Sequence, residues 1–170
     1  KAREQVPVEL WMYGAGDFLT EVRALATELK LDDHAHFSGT FFPVEQIPVI
    51  VSGMDLGIIG NRRSIACDKY MLPVKLLEYV YLGVPVIAPR LDVISRYFDD
   101  HMVRFYEPEN VDQIAAGIVE LYKNKEERER LANAATSFYQ KHSIQAQADV
   151  YLNLITGSPT GLRAQSQGHA

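Results

Sequence analysis

Short, almost entirely apolar runs alternate with longer segments of helical periodicity along most of this sequence. The runs of strand length are 8–13, 35–39, 54–60, 85–88 and 102–106. Strands that are apolar on both faces are typical of parallel sheets, whose two faces are both covered by helices. The sequence therefore predicts an α/β fold, a Rossmann-like parallel sheet with helices on both faces.

The helical segments complete this pattern and set the expected limits of the domain. From Val111 the spacing of apolar residues predicts consecutive C-terminal helices over 111–123, 125–141 and 144–155. The last segment is polar and rich in small residues, which is typical of chain that cannot bury a core. We expect one domain over residues 1–156 and a disordered C-terminal tail over 157–170.

Charge and composition exclude several classes of protein. The net charge of −5 argues against a broad nucleic-acid surface, which needs many cations facing phosphates. The single cysteine, Cys67, excludes an internal disulfide and a cysteine-based metal cluster, and it fits a reducing, cytoplasmic location. No apolar run reaches the roughly 18 residues of a membrane span, and the first residues contain no signal-peptide core.

Ligands of open parallel sheets bind beyond the carboxyl ends of the strands. In this sequence that edge is formed by the four segments that follow strands, namely "GAGD" (14–17), "GTFF" (39–42), the long loop 60–73 and "APRLDV" (88–93). The loop 60–73 is the longest of them and leads directly into a predicted helix. Any small-molecule site is expected along this edge.

The start of the helix after that loop has the features of a phosphate site. Pro73 suits a first helical turn because its missing N–H is not needed there, and the N–H groups of Val74 and Lys75 would face the loop. The side chains of Lys75, Arg62 and Arg63 would add positive charge. The alternative is that Lys75 and Glu78, three residues apart, form an ordinary ion pair on the helix surface.

Glu78 lies one helical turn beyond this predicted phosphate-facing end. A carboxylate in that place suits the two hydroxyls of a ribose, which acidic residues bind in dinucleotide sites. A surface glutamate fits the apolar spacing of the helix equally well. Periodicity alone does not decide between these interpretations.

The stretch "KLLEYVYLGVPVIA" (75–88) resembles the signature of the retaining GT-B glycosyltransferases of group 1, also called family 4. The resemblance extends over most of the chain. The segments 9–17, 35–59 and 103–135 are similar to successive strands and helices of that family's C-terminal domain.

The resemblance implies a role for individual residues. Glu78 matches the second glutamate of the family's E-x7-E pair, which is expected to hold the ribose of a nucleotide sugar. The backbone at Pro73, Val74 and Lys75 would hold the diphosphate, and the segment 39–42, with Phe41, would lie against the base.

The chain also departs from the family pattern. Tyr70 occupies the position of the first glutamate of the pair, where the family contacts the sugar, and Asp68 is the nearest alternative carboxylate. Pro73 replaces a glycine, and "PRLDV" replaces the Gly-Gly often found after the strand. A family branch with the pattern Pro-x-Lys-x-x-Glu-Tyr is more similar, and in it Lys75 shares the phosphate role.

The resemblance implies the donor-binding half of an enzyme that transfers a hexose-type sugar from a nucleoside diphosphate sugar to a glycan, lipid or small-molecule acceptor. Lys75 and Arg62 are the candidates for stabilising the leaving group, and no metal or other cofactor is expected. The first β–α unit and the acceptor-binding N-terminal domain are expected to lie outside this chain, so the fragment alone should be inactive. Peripheral membrane association of the full enzyme is compatible with this interpretation.

Two other functions remain open at this stage. The first is a non-catalytic binding or regulatory module on the same fold, with a decayed donor site; Tyr70 and the missing Gly-Gly favour it. The second is half of a nucleotide-sugar epimerase, which shares the architecture. Fold alone does not separate these functions.

Overall fold

A computed structural model of the chain describes residues 1–156. Within that part of the chain, five short strands form, and each overlaps one of the five predicted apolar runs. They are β1 Leu10–Met12, β2 Ala35–Phe37, β3 Gly57–Ile58, β4 Val86–Pro89 and β5 Arg104–Tyr106. The predicted tail, 157–170, lies outside the described residues.

Helices separate the strands and follow the last of them. They are α1 Leu19–Glu28, α2 Ile47–Ser52, α3 Ile65–Lys69, α4 Val74–Tyr81, α5 Asp92–Ser95, α6 Val111–Lys123, α7 Lys125–His142 and α8 Ile144–Thr156, with a 3-10 turn at Val44–Gln46. The three C-terminal helices match the predicted limits within one residue. None of the described helices is long and apolar enough to cross a membrane.

Two of these helices, α3 and α5, are short and lie in segments without helical periodicity. The hydroxyl of Ser64 caps α3 by accepting a hydrogen bond from the N–H of Cys67 at 3.1 Å. In α5, Val93 and Ile94 are buried, so packing against the core stabilises this single turn. Local capping and tertiary contacts, rather than apolar spacing, account for both.

All strand pairs are parallel, as predicted, but they form two sheets. β1 pairs with β2, whereas β3, β4 and β5 form a second sheet in that order. The predicted parallel sheet is thus divided into two among the described residues, because no strand there pairs with both β1 and β3. The α/β class, with parallel sheets flanked by helices, is confirmed.

The core lies around β4, whose four residues are all buried. Val86 and Ala88 pack with Leu76 and Val80 of α4 in one apolar cluster. Ile87 points to the opposite face and packs in a second cluster, with Tyr106, Leu121 and Leu131. Successive strand residues face opposite sides of a sheet, so this central sheet carries helices on both faces as the sequence predicts.

β1 differs from the central strands because its side chains are exposed. Leu10, Trp11 and Met12 keep 42–46% of their accessible surface. The ring of Trp11 stacks on His36 of β2, with 4.1 Å between the ring centroids. The apolar composition of this run predicts a strand buried on both faces, and that expectation is wrong for β1 within residues 1–156.

Candidate functional site

The N-terminus of α4 is open toward solvent. Pro73 is the N-cap, one position before the helix rather than in its first turn as predicted, and no side chain caps the helix. The N–H of Leu76 bonds the carbonyl of Pro73 at 3.1 Å. The N–H groups of Val74 and Lys75 precede it, and Val74 is 67% exposed. Such free N–H groups at a helix start can bind an anion.

The chain topology places this helix start at the ligand-binding edge. α4 connects β3 to β4, two parallel neighbours with Ile58 opposite Ile87. A helix in such a crossover begins at the carboxyl ends of the strands and returns along the sheet. The start of α4 therefore lies at the edge where the sequence predicts the site.

Glu78 lies one turn along α4 and is half-buried. Within residues 1–156 no ion pair joins it to Lys75, so the alternative of a surface pair between the two is not observed. Burial raises the pKa of the neighbouring Tyr79 hydroxyl, and the negative charge of Glu78 raises it further. The Glu78 carboxylate is therefore close to an aromatic side chain, and within residues 1–156 no hydrogen bond or ion pair involves its oxygens.

The three predicted cations differ in their surroundings. Arg62 and Lys75 are exposed, and no ion pair involves either in the described part of the chain. The Arg63 guanidinium instead donates a hydrogen bond to the carbonyl of Arg90 at 3.1 Å. The structure thus gives Arg63 a structural contact that the sequence did not predict, while Arg62 and Lys75 stay available to a ligand.

Asp68 is also bonded to the segment that follows β4. Its Oδ1 atom accepts the N–H of Asp92 at 3.0 Å. This contact and that of Arg63 with Arg90 bring the loop 60–73 together with the segment 88–93, two of the four predicted edge segments. The Asp68 carboxylate already has a backbone partner, which disfavours it as a free substitute for the family's first glutamate.

Tyr70 and Phe41 are both 77% exposed. Tyr70 is the C-cap residue of α3 and stands just before the turn into α4. Phe41 lies in the segment that follows β2. Large aromatic side chains with this exposure can stack on a planar ligand or pack against another surface.

The two remaining edge segments, 14–17 and 39–42, are joined through Ser38. Its hydroxyl accepts the N–H of Gly14 at 3.0 Å and donates to the carbonyl of Thr40 at 3.1 Å. The rings of Tyr13 and Phe42 also meet edge to face, with 5.7 Å between the centroids. Sequence reasoning missed Ser38, although a serine directly after a strand is a common turn signal.

A separate cavity of about 290 Å³ lies beside β5, lined among others by Arg90, Arg104 and Glu107. Both guanidinium groups are already paired there. Arg90 contacts Asp100 at 2.6 Å, and Arg104 contacts Glu120 at 2.9 Å. None of the predicted site residues lines this cavity.

Residues 1–138 match the family of group 1 glycosyl transferases. The match covers more than half of the chain, so the chain belongs to this family. No curated protein sequence matches the chain.

Several solved structures have a similar fold. The Anabaena protein HepE, solved with UDP, has a TM-score of 0.75 and 16% identity, covering 91% of this chain and 43% of its own. The Thermosynechococcus elongatus sucrose-phosphate synthase has a TM-score of 0.72 and 17% identity, covering 92% of this chain and 41% of its own.

A third similar structure is the C-terminal domain of the group 1 glycosyl transferase LpcC from Francisella tularensis. Its TM-score is 0.61 and its identity 21%, over 74% of this chain and 62% of that one. At these identities the likeness establishes the fold. This chain spans less than half the length of the Anabaena and Thermosynechococcus proteins.

Proposed function

We propose that this chain is the donor-binding, C-terminal domain of a retaining GT-B glycosyltransferase of family 4. The enzyme transfers a hexose from a nucleoside diphosphate sugar to an acceptor. The observation that carries the proposal is the uncapped start of α4, with the half-buried, unpaired Glu78 one turn further along. Both features lie at the carboxyl edge of a parallel sheet, in a chain of the group 1 family.

In this proposal the start of α4 binds the diphosphate. The N–H groups of Val74 and Lys75 point at phosphate oxygens, and the helix dipole adds partial positive charge. The side chains of Lys75, Arg62 and Arg63 supply full charges. As the bond between sugar and phosphate breaks, negative charge grows on the diphosphate, and these fixed groups stabilise it.

The same arrangement assigns the other parts of the donor. Glu78 accepts the two ribose hydroxyls, which matches a carboxylate with no ionic partner in the described chain. Phe41 packs against the base, and Tyr70 contacts the sugar in place of the family's first glutamate. Tyr70 has no carboxylate, so this contact with the sugar is uncharged. The loss of that charge favours the second candidate function, a non-catalytic binding module on the same fold.

Similar proteins of known structure agree with this proposal. The Anabaena protein was solved with UDP and with UDP-glucose. The Francisella structure is that of a C-terminal domain. UDP is therefore the first nucleotide to test on this chain.

The break between the two sheets is consistent with a domain whose first β–α unit lies upstream. In the common doubly wound order 3-2-1-4-5-6, the first strand lies between the second and the fourth. If β1, β2 and β3 are the second, third and fourth strands, one upstream strand would join both sheets. We propose that this unit and an acceptor-binding N-terminal domain complete the enzyme, and that the chain alone does not catalyse transfer.

The remaining parts of the proposal concern cofactors and location. The reaction needs no metal or organic cofactor, because the protein's own N–H groups and cations stabilise the leaving diphosphate. We propose that the whole enzyme is cytoplasmic, a location that is compatible with its peripheral association with a membrane.

Calorimetric titration of the 170-residue chain with UDP, GDP and ADP tests the proposal. We expect one nucleotide to bind and Glu78→Gln to weaken that binding about tenfold or more, because hydrogen bonds to a charged group contribute about 1.5–3 kcal/mol. Glu28→Gln is the matched control, since Glu28 ends α1 and is exposed.

The outcomes separate the candidate functions. Equal binding by wild type and Glu78→Gln would exclude the ribose role of Glu78. Absence of binding by all three nucleotides would favour the non-catalytic module, unless a longer protein that includes the upstream residues restores it. Sugar transfer by the 170-residue chain alone would contradict the proposed need for a second domain.

A further inference from the structure

We infer that Asp68 is a positioning residue for the nucleotide site, acting through the backbone of the segment after β4. The inference rests on the proposed function. Two hydrogen bonds, from Asp92 N–H to Asp68 at 3.0 Å and from Arg63 to the Arg90 carbonyl at 3.1 Å, form what we call the loop tether. Both begin in the loop 60–73 and end within three consecutive residues.

The segment after β4, which contains Arg90 and Asp92, is anchored by buried neighbours. It follows directly on Pro89, the buried last residue of β4, and Leu91 and Ile94 are fully buried. The Arg90 guanidinium is itself held over the ring of Phe105, at 4.3 Å from its centroid. A hydrogen bond to the backbone here therefore joins the loop to a segment whose apolar side chains are buried in the core.

The loop 60–73, which contains Arg63 and Asp68, is only weakly stabilised by its own packing. α3 contains only five residues, and helices of that length are unstable without tertiary contacts. Ile65 and Tyr70 are largely exposed, and Cys67 and Leu72 supply only partly buried contacts to the core. The tether is thus a main constraint on where α3 lies.

The position of α3 determines two parts of the proposed site. Tyr70 ends α3, and only residues 71–73 separate it from the start of α4. A shift of α3 would displace the phenol of Tyr70. It would also displace residues 71–73, which lead to the Val74 and Lys75 N–H groups. Asp68 therefore affects nucleotide binding without contacting the nucleotide.

The chemistry of the contact distinguishes this role from a direct one. Asp68 acts as a hydrogen-bond acceptor toward a backbone N–H, and the side-chain oxygen of asparagine can do the same. Asp68→Asn keeps that acceptor and removes the charge, whereas Asp68→Ala removes both. A positioning role predicts that asparagine rescues function; a charge-dependent contact with ligand predicts that it does not.

The test combines amide hydrogen exchange with nucleotide titration on the 170-residue chain. In Asp68→Ala we expect the Asp92 amide to exchange about tenfold faster, and the affinity for the nucleotide that wild type binds to fall about five- to tenfold. Asp68→Asn should stay near wild type in both. Asp33→Ala, a change at an exposed aspartate away from the loop, is the matched control.

A core amide separates positioning from general loss of stability. The Ile59 N–H bonds the Ile87 carbonyl at 2.9 Å within the central sheet. Its exchange should not change in Asp68→Ala; equal acceleration at Ile59 and Asp92 would overturn the inference. Unchanged Asp92 exchange in Asp68→Ala, or asparagine as harmful as alanine, would also overturn it.

The failure of this inference can be told from failure of the proposed function. If neither the wild-type chain nor a longer protein that includes the upstream residues binds a nucleotide, the donor site is refuted, and the exchange of Asp92 alone still decides whether the tether holds the loop. If wild type binds and Asp68→Ala binds equally well, the donor site stands and the positioning role is refuted.

Discussion

Replacing Gly57 by alanine tests how closely the helix that carries Glu78 packs on the central sheet. Gly57 opens β3, and Tyr79 lies on α4 directly after Glu78. A Cβ atom at Gly57 would stand 2.4 Å from Cδ2 of Tyr79 and 2.7 Å from Cγ. Ordinary van der Waals contact begins near 3.4 Å, so the ring would have to retreat by about 1 Å.

The ring has little freedom to make that movement. Leu76 and Val80, on either side of Tyr79 in α4, are almost completely buried. Interiors are close-packed, so the shift must pass to the helix or force the ring off its rotamer. Overpacking of this kind costs about 1–3 kcal/mol, and we expect Gly57→Ala to lose that much free energy of unfolding.

Urea denaturation followed by circular dichroism measures this loss, and Gly60→Ala is the matched control. An added Cβ at Gly60 meets nothing within 4 Å, so any effect of alanine on the unfolded chain is common to both variants. For a domain of this size each 1 kcal/mol corresponds to about 2–4 °C in Tm. Gly57→Ala should therefore melt several degrees below Gly60→Ala.

A double-mutant cycle identifies the cause of the loss. Tyr79→Leu removes the ring atoms that the new Cβ would meet, so the cost of Gly57→Ala should be much smaller in that background. Additive effects of the two substitutions would refute the steric explanation. Gly57→Ala as stable as Gly60→Ala would refute the packing argument itself.

Two further predictions concern Gly83, at the end of α4, and the hydroxyl of Tyr106, which contacts the residue after β3. Gly83 follows α4 with φ +71°, a left-handed conformation that costs an alanine about 1 kcal/mol, although no atom lies within 4 Å of an added Cβ. Urea denaturation of Gly83→Ala should therefore show a free energy of unfolding lower by about 1 kcal/mol. The Tyr106 hydroxyl donates a hydrogen bond to the Ile59 carbonyl at 2.7 Å, and burial raises its pKa above the ordinary value. Above pH about 10 the unfolded chain loses this proton while the folded protein still binds it, so the free energy of unfolding should fall as the pH rises. Tyr106→Phe should cost about 1–3 kcal/mol at neutral pH and make the alkaline decline shallower; an unchanged decline would contradict the assignment.

The burial of a strand could be predicted from the sequence where helices of this chain cover it. β4 is apolar and is buried on both faces, because α4 and α6 cover it from adjacent parts of the sequence. β1 is equally apolar yet exposed, because within residues 1–156 too little packs on it. Periodicity reports what a residue prefers, whereas its exposure depends on the surfaces that meet it.

In the candidate site, too, the features with a local sequence signal could be predicted and those that depend on distant residues could not. The open start of α4 could be predicted, since proline at the junction of a long loop and an amphipathic segment is a local signal. The partner of Asp68 could not, because Asp92 is distant in sequence and offers a backbone N–H, which every residue except proline has. Side-chain spacing contains no information on such a contact.

The local charge around the start of α4 bears on the proposed diphosphate site. The whole protein has a net charge of −5, but the stretch 60–75 contains four cations, Arg62, Arg63, Lys69 and Lys75, and one carboxylate, Asp68. That carboxylate accepts the Asp92 N–H, which offsets part of its negative charge where the ligand would bind. The stretch that leads into α4 therefore has more cations than carboxylates although the whole chain is acidic. Surface charges farther apart than a Debye length, about 8 Å at physiological ionic strength, are largely screened from each other. Net charge argues against broad nucleic-acid binding, whereas the binding of a small anion depends on the charges around one helix start.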